Sequence, residues 1–346
     1  MREIISLNEN WTLSFPKGER PTEQVTLPHT WNAVDGQDGG NDYYRGTCRY
    51  TRTLEKPELP DGGRAVLQFD GVAMTAVVSL NGEKVAEHKG GYSTFRVDIT
   101  DALHDGANEL MVSVDNSDND TVYPQKADFT FYGGIYRDVS LLVVNKNHIA
   151  LGHFGDTGVK ITPALKEGSA DIQVETLVEG SGTVTVELLD AEGRTVAKGE
   201  GENASLHLDA PHLWNGIKDP YLYTCIVRLL QDGKPVDEVT TRVGLRSFSV
   251  DAKKGFFLNG RAYPLHGVSR HQDRKGLGNA ITREMHDEDM ALIKEIGANT
   301  IRLPFNYKLF TREDYMGKND ETEGFRMMDK TIEWCRKYGL HLILDM

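Results

Sequence analysis

Apolar and polar residues alternate at period two through roughly the first 250 positions, and the alternation predicts β-strands. Ala65-Val66-Leu67-Gln68-Phe69, Ala76-Val77-Val78-Ser79-Leu80, Glu109-Leu110-Met111-Val112-Ser113-Val114 and the run 139–144 each read as a strand. Asn81-Gly82 is a hairpin turn signal, because both residues tolerate positive φ. Many short strands separated by Gly, Asn and Asp predict a β-sandwich over residues 1–145. Alternation resumes in 146–248, at Asp171-Ile172-Gln173-Val174-Glu175, Thr183-Val184-Thr185-Val186-Glu187-Leu188, 221–230 and 238–243, with Asp232-Gly233 as a turn. About seven strands in about 100 residues fit an immunoglobulin-like sandwich with no visible chemistry of its own.

The period changes after residue 249. A hairpin at Gly255-Phe256-Phe257-Leu258-Asn259-Gly260-Arg261 is followed by the apolar strand Leu265-His266-Gly267-Val268 and a polar loop beginning Ser269-Arg270-His271. A helix is expected over 287–296, with Asp287 as its N-cap, Asp289 in its first turn and Met290, Ile293 and Ile296 facing inward. Gly297 stops it, and Thr300-Ile301-Arg302-Leu303 is a second strand. Strand, loop, helix, strand is a βαβ unit, which builds a parallel sheet. Phe325, Met328, Ile332 and Cys335 mark one face of a further helix, and Leu342-Ile343-Leu344 a third buried strand. Residues 249–346 thus read as the opening, about three strands, of a (β/α)8 TIM barrel. Function in such barrels sits at the C-terminal strand ends, where Arg270, His271 and Arg302 fall.

Charge and composition narrow the classes. A net charge of −13 argues against sequence-independent nucleic-acid binding. No apolar run approaches the ~18 residues of a membrane span. Cys48, Cys225 and Cys335 are odd in number and far apart, giving neither a disulfide framework nor a zinc pattern. The first residues lack the basic and apolar regions of a signal peptide, which points to the cytoplasm. Neither a Ser-His-Asp elbow nor a phosphate loop is present. Two loops, 28–46 and 123–137, mix aromatic rings with carboxylates and amides, a combination suited to a sugar.

Leu27-Pro28-His29-Thr30-Trp31-Asn32, Tyr43-Tyr44-Arg45-Gly46, Phe69-Asp70-Gly71-Val72, Leu80-Asn81-Gly82, Gly90-Gly91-Tyr92-Ser93-Thr94-Phe95 and Gly133-Gly134-Ile135-Tyr136-Arg137-Asp138-Val139 resemble, in order, the sugar-binding jelly roll of glycoside hydrolase family 2. That family comprises β-galactosidases, β-glucuronidases and β-mannosidases. The run Asp35-Gly36-Gln37-Asp38-Gly39-Gly40-Asn41 most resembles the β-galactosidase branch. The resemblance implies a retaining hydrolase of terminal β-galactosides, with β-glucuronides, β-mannosides or β-glucans, or a non-catalytic carbohydrate-binding module, as alternatives. It implies that Asp128, seven residues before Ile135, binds the sugar and a sodium ion, that Asn41 approaches the same sugar, and that His271 reaches the substrate. It also implies that Arg302 hydrogen-bonds a nucleophilic glutamate, and that magnesium and sodium serve the complete enzyme.

From about Ile301 to Asp345 the text is instead similar to glycoside hydrolase family 5, with Phe305 standing where family 2 carries a substrate-contacting histidine. A natural hybrid, a fusion and a truncated assembly all fit. A retaining glycosidase needs two carboxyl groups about 5 Å apart. The resemblance puts both glutamates on barrel strands four and seven, past Met346, so the chain alone is expected to hydrolyse nothing. Open strand edges and uncovered apolar faces at Leu265, Val268, Ile301 and 342–344 are then expected, a feature that promotes aggregation or a homo-oligomer.

Overall fold

The computed structural model describes residues 1–33, 35, 43–123, 130–271, 282–304 and 323–345. The first sandwich is a jelly roll of two antiparallel sheets. One runs Glu3–Ser6, Val139–Val144, Arg64–Phe69, Phe95–Asp98. The other runs Glu23–Val25, Trp11–Ser14, Thr47–Glu55, Ala107–Asp115, Thr75–Leu80, Glu83–Lys89. Alternation along each strand turns Trp11, Leu13, Tyr50, Leu67, Phe69, Leu110 and Val112 into the space between the sheets, where all are fully buried. Each large side chain so removed from water contributes roughly 1.5–3 kcal/mol.

The second sandwich is immunoglobulin-like. Val159–Lys166, Ser169–Thr176 and Asn203–Asp209 form one sheet. Thr195–Glu200, Thr183–Leu189, Tyr223–Gln231 and Lys234–Val243 form the other. Ile172, Val174, Val186, Leu188, Val227 and Leu229 fill the interior. The two sandwiches are joined by a buried ion pair. Arg2 donates from Nε (2.8 Å) and Nη2 (2.7 Å) to the two oxygens of Asp237, and Asp237 also accepts the Ile149 backbone N–H at 2.8 Å. Asn145 reaches the Val236 carbonyl at 2.6 Å beside it.

A small antiparallel sheet, Phe248–Asp251, Gly255–Leu258 and Arg261–Ala262, leads into the barrel. Three parallel strands follow: Gly267–Ser269, Thr300–Pro304 and His341–Asp345. Helices α1, Arg283–Glu295, and α2, Glu323–Tyr338, cover one face. The third region is therefore the start of a TIM barrel.

Local details differ from the sequence reading. The first barrel strand begins at Gly267 rather than Leu265, which is 53% exposed. Asn299 takes over the ladder there: its Oδ1 accepts from His266 N at 2.8 Å and its Nδ2 donates to Pro264 O at 2.6 Å. Helix α1 starts four residues before Asp287. Thr282 is the N-cap, its hydroxyl accepting from Met285 N, and the Asp287 carboxylate instead accepts from Lys337 at 2.9 Å and Tyr338 at 3.2 Å of α2. Ile296, at the helix end, is 72% exposed, and the buried stripe runs through His286 and Met290. On α2 the buried face is Thr331, Trp334 and Cys335, while Ile332 points outward. Of the apolar positions expected to lie uncovered, Leu265, Ile343 and Leu344 are exposed, but Ile301 is completely buried against the helices.

Candidate active-site face

Register assigns each barrel side chain a side. Ser269 is paired with Arg302, and Arg302 with Ile343. With alternation along each strand, Ser269, Arg302, Ile343 and Asp345 therefore share the face away from the helices, while Val268, Ile301, Leu303 and Leu342 pack toward α1 and α2. Near the C-terminal ends of the strands, Arg302 Nη2 forms an ion pair with Asp345 Oδ2, and Arg302 Nη1 donates to Ser269 Oγ at 3.2 Å. Both charged partners are partly exposed. The resemblance implies a nucleophilic glutamate as the partner of Arg302; among the described residues its ion-pair partner is Asp345. His271, two residues past Ser269, is exposed directly beyond the first strand.

Arg270 behaves differently from its neighbours. It is 6% exposed and turns toward the helix layer, where Nε donates to Asp289 Oδ2 at 3.0 Å, Nη2 contacts the same oxygen, and Nη1 lies 3.0 Å from His286 Nδ1. His286 stacks on Trp334 with ring centroids 5.2 Å apart.

The jelly roll contributes a second constellation. Asn41 and Asp128 lie outside the described residues, but the chain flanking both is held by a buried amide network. Asn32 Nδ2 donates to Asp35 Oδ2 at 2.7 Å and to Tyr44 O at 2.8 Å, and its Oδ1 accepts from Gly133 N at 2.7 Å. Asn116 Nδ2 donates to Asn32 Oδ1 at 3.2 Å and to Phe131 O at 2.9 Å, while its Oδ1 accepts from Gly46 N at 2.9 Å. Arg20 pairs with Asp35 at 2.9 Å, and Arg45 with Asp118 at 2.7 Å. Tyr43 and Phe131 exchange two hydrogen bonds, of 2.6 and 2.9 Å. This network couples the end of the 31–46 loop to the end of the 117–137 loop. Beside it is a cavity of about 260 Å³ lined by Ala73, Met74, Tyr92, Phe131 and Tyr136, with the exposed Tyr123 at its edge.

Gly133 and Gly134 let the chain pass over this ground. A Cβ on Gly133 would lie 2.0 Å from the Trp31 ring, and Gly134 has φ +141° with its added Cβ 2.4 Å from His29 O. His29 itself is buried against Tyr50, Nδ1 to hydroxyl 2.8 Å, and burial pushes its pKa down to about 4. Neither Asn116 nor Asp289 stood out in the sequence as part of a site, whereas Asn32 and Asp35 lie in the 28–46 loop that read as suited to a sugar. Asn116 read as a turn residue and Asp289 as a helix-start acid.

The magnesium and sodium expectations find no test among the described residues, where no three His, Cys, Asp or Glu side chains converge as a metal site. Also among the described residues, no helix is long and apolar enough to cross a membrane.

Two β-sandwiches leading into the start of a parallel βα barrel, with a polar strand-end cluster and a braced sandwich loop pair, define a modular multidomain protein. Family models place it further. The model for the sugar binding domain of glycosyl hydrolases family 2 matches residues 4–145, the model described as glycosyl hydrolases family 2 matches residues 153–246, and the model for the family 2 TIM barrel domain matches residues 249–317. The chain belongs to glycosyl hydrolase family 2. The family 2 barrel model runs on past Ile301 to residue 317, into the stretch expected to resemble family 5.

Among similar curated proteins, a beta-glucuronidase of Bacteroides fragilis is 39% identical over 338 residues, covering 92% of this chain and 48% of that protein. A beta-galactosidase of Bacteroides ovatus is 32% identical, covering 97% of this chain and 42% of its own length. The crystal structure of an FMN-binding beta-glucuronidase from Facaelibacterium prausnitzii L2-6 matches with a TM-score of 0.76 and 43% identity, over 99% of this chain and 52% of that one. The chain spans about half the length of the curated relatives it matches.

Proposed function

We propose that this chain supplies the sugar-recognition domains and the first barrel strands of a retaining β-glucuronidase. The observation that carries the reading is the convergence of Ser269, Arg302 and Asp345 on one face, with His271 exposed beside them, at the C-terminal strand ends of a family 2 barrel. The glucuronide preference over the β-galactoside preference expected from the 35–41 run is supported by the 39% identical Bacteroides fragilis relative and the 43% identical solved structure, both named beta-glucuronidases.

In this reading His271 hydrogen-bonds a sugar hydroxyl, and Asp128 and Asn41 approach the same ring from the jelly roll. Arg302 lies next to the nucleophilic carboxylate. Its guanidinium favours the ionised form of that group by direct charge attraction, and Asp345 and Ser269 fix its rotamer. A retaining mechanism needs two facing carboxyl groups. Among the described barrel-strand residues Asp345 alone is acidic on this face, and it is committed to Arg302. The 346-residue chain alone is therefore expected to release no sugar.

The test compares aryl β-D-glucuronide and aryl β-D-galactoside hydrolysis by the protein expressed from its complete gene. The expected result is a kcat/KM on the order of 100-fold higher for the glucuronide, an energy difference within reach of one buried charged recognition contact. A galactoside preference, or turnover by the 346-residue chain itself, contradicts the proposal.

A further inference from the structure

We infer that Arg270 is a positioning residue that determines which way His271 faces, by anchoring the end of the first barrel strand to helix α1. The inference rests on the proposed role of His271, and it is carried by the opposite fates of two adjacent side chains. Arg270 is 6% exposed and His271 is exposed. Extended backbone sends consecutive side chains to opposite faces. A buried Arg270 on the helix side therefore turns His271 to the side of Ser269 and Arg302.

Three contacts fix Arg270 in that orientation. Its backbone N–H donates to Arg302 O at 2.9 Å, which extends the parallel ladder one residue beyond the strand and ties both site-bearing segments together. Its guanidinium holds the Asp289 carboxylate through Nε and Nη2. Its third nitrogen donates to His286 Nδ1 at 3.0 Å, because a guanidinium has no acceptor to offer. His286 is clamped in turn by the Trp334 ring of α2. The grip therefore spans strand, first helix and second helix. Among the described residues the Arg270 side chain bonds only within the helix layer, to Asp289 and His286, so its effect on chemistry passes through its neighbour.

The experiment uses the protein from its complete gene, assayed on the aryl glucuronide and followed by NMR of histidine ring protons, with the His271 signal assigned by its loss in His271→Ala. Arg270→Gln and the isosteric Asp289→Asn are each expected to lower kcat/KM at least tenfold and to shift the His271 signal. Asp287→Asn, on the outer contact with Lys337, is expected to leave both unchanged. The double variant Arg270→Gln/His271→Ala is expected to be no slower than His271→Ala alone, since the first residue acts through the second. Should Arg270→Gln fail to fold, Asp289→Asn decides. An unmoved His271 signal in a folded variant, or losses that multiply in the double variant, overturns the inference. A wild type inactive on both glycosides counts against the functional reading alone, and the His271 signal still tests the anchor.

Discussion

The guanidinium of Arg302 is paired with the carboxylate of Asp345 across the C-terminal ends of neighbouring parallel barrel strands. The two are not opposite in register. Arg302 faces Ile343, so its side chain leans forward along the strand direction to reach an acid one pleat further on. This lean carries the positive charge toward the mouth of the barrel. Removing the acid by Asp345→Ala leaves Ser269 Oγ as the hydrogen-bond partner of the Arg302 side chain among the described residues. A mispositioned catalytic partner costs on the order of 10- to 100-fold in rate. In the protein from its complete gene, the expected outcome is a kcat on the aryl glucuronide lower by about that factor with little change in thermal stability, because an exposed pair contributes about 1 kcal/mol at most. An unchanged kcat in steady-state assays refutes this placement.

Gly133 lies against Trp31 so closely that one methyl group has no room. Trp31 is itself buried and packed between Tyr44 and Tyr50. Gly133→Ala is expected to destabilise the jelly roll by about 3 kcal/mol, the upper end of overpacking costs. A shift of the urea midpoint to lower concentration checks it, and an unchanged midpoint counts against the close approach.

His29 makes the jelly roll acid-sensitive. Burial holds its pKa near 4, against about 6.5 in an unfolded chain. The unfolded state therefore binds a proton that the folded state refuses. Stability from this group is full above about pH 6.5, declines as pH falls, and is lost through pH 4, by on the order of 3 kcal/mol at most. His29→Gln keeps an acceptor for the Tyr50 hydroxyl and has no such titration. Melting temperatures measured from pH 7 to pH 4 are expected to fall less steeply in the variant, and parallel profiles would exclude the assignment.

Asp237 is 1% exposed and accepts four hydrogen bonds: two from Arg2, one from Ile149 N and one from Glu238 N. Asp237→Asn leaves the Arg2 charge facing a neutral amide in a buried setting. Breaking such a pair costs about 3–5 kcal/mol. Amide exchange is expected to quicken at both Glu3–Ser6 and Lys234–Val243, since the pair joins them. Faster exchange in one sandwich only would show that they are not coupled there.

Backbone chemistry was the most legible part of the sequence. Asn81-Gly82, Asp232-Gly233 and Asn259-Gly260 all sit at positive φ on both residues, the hairpin geometry that their side chains permit. Strand alternation located the sandwich cores for the same local reason. Helix faces were harder to read. The apolar stripe put Ile332 on the buried face of α2, where Trp334 lies instead, and the cross-helix contact of Asp287 with Lys337 and Tyr338 is invisible until α1 and α2 are placed together. On the strand-end face, the position of Arg302 near the end of its strand was legible, and it lies in Thr300–Pro304. The Asn32–Asn116 bond joins positions 84 residues apart, and neither amide has a local pattern that announces a buried partner. Arg270 could have been anticipated by counting faces from His271, since neighbours on an extended strand diverge.

The bond between Arg2 and Asp237 closes a loop of 235 residues. During synthesis at about 5–20 residues per second, residue 2 waits roughly 10–50 seconds for its acid to emerge from the ribosome. Glu3–Ser6, an edge strand of its sheet, is without that tether in the interval. A nascent first sandwich can therefore assemble its interior while its earliest strand, one of its open sheet edges, is still unlatched.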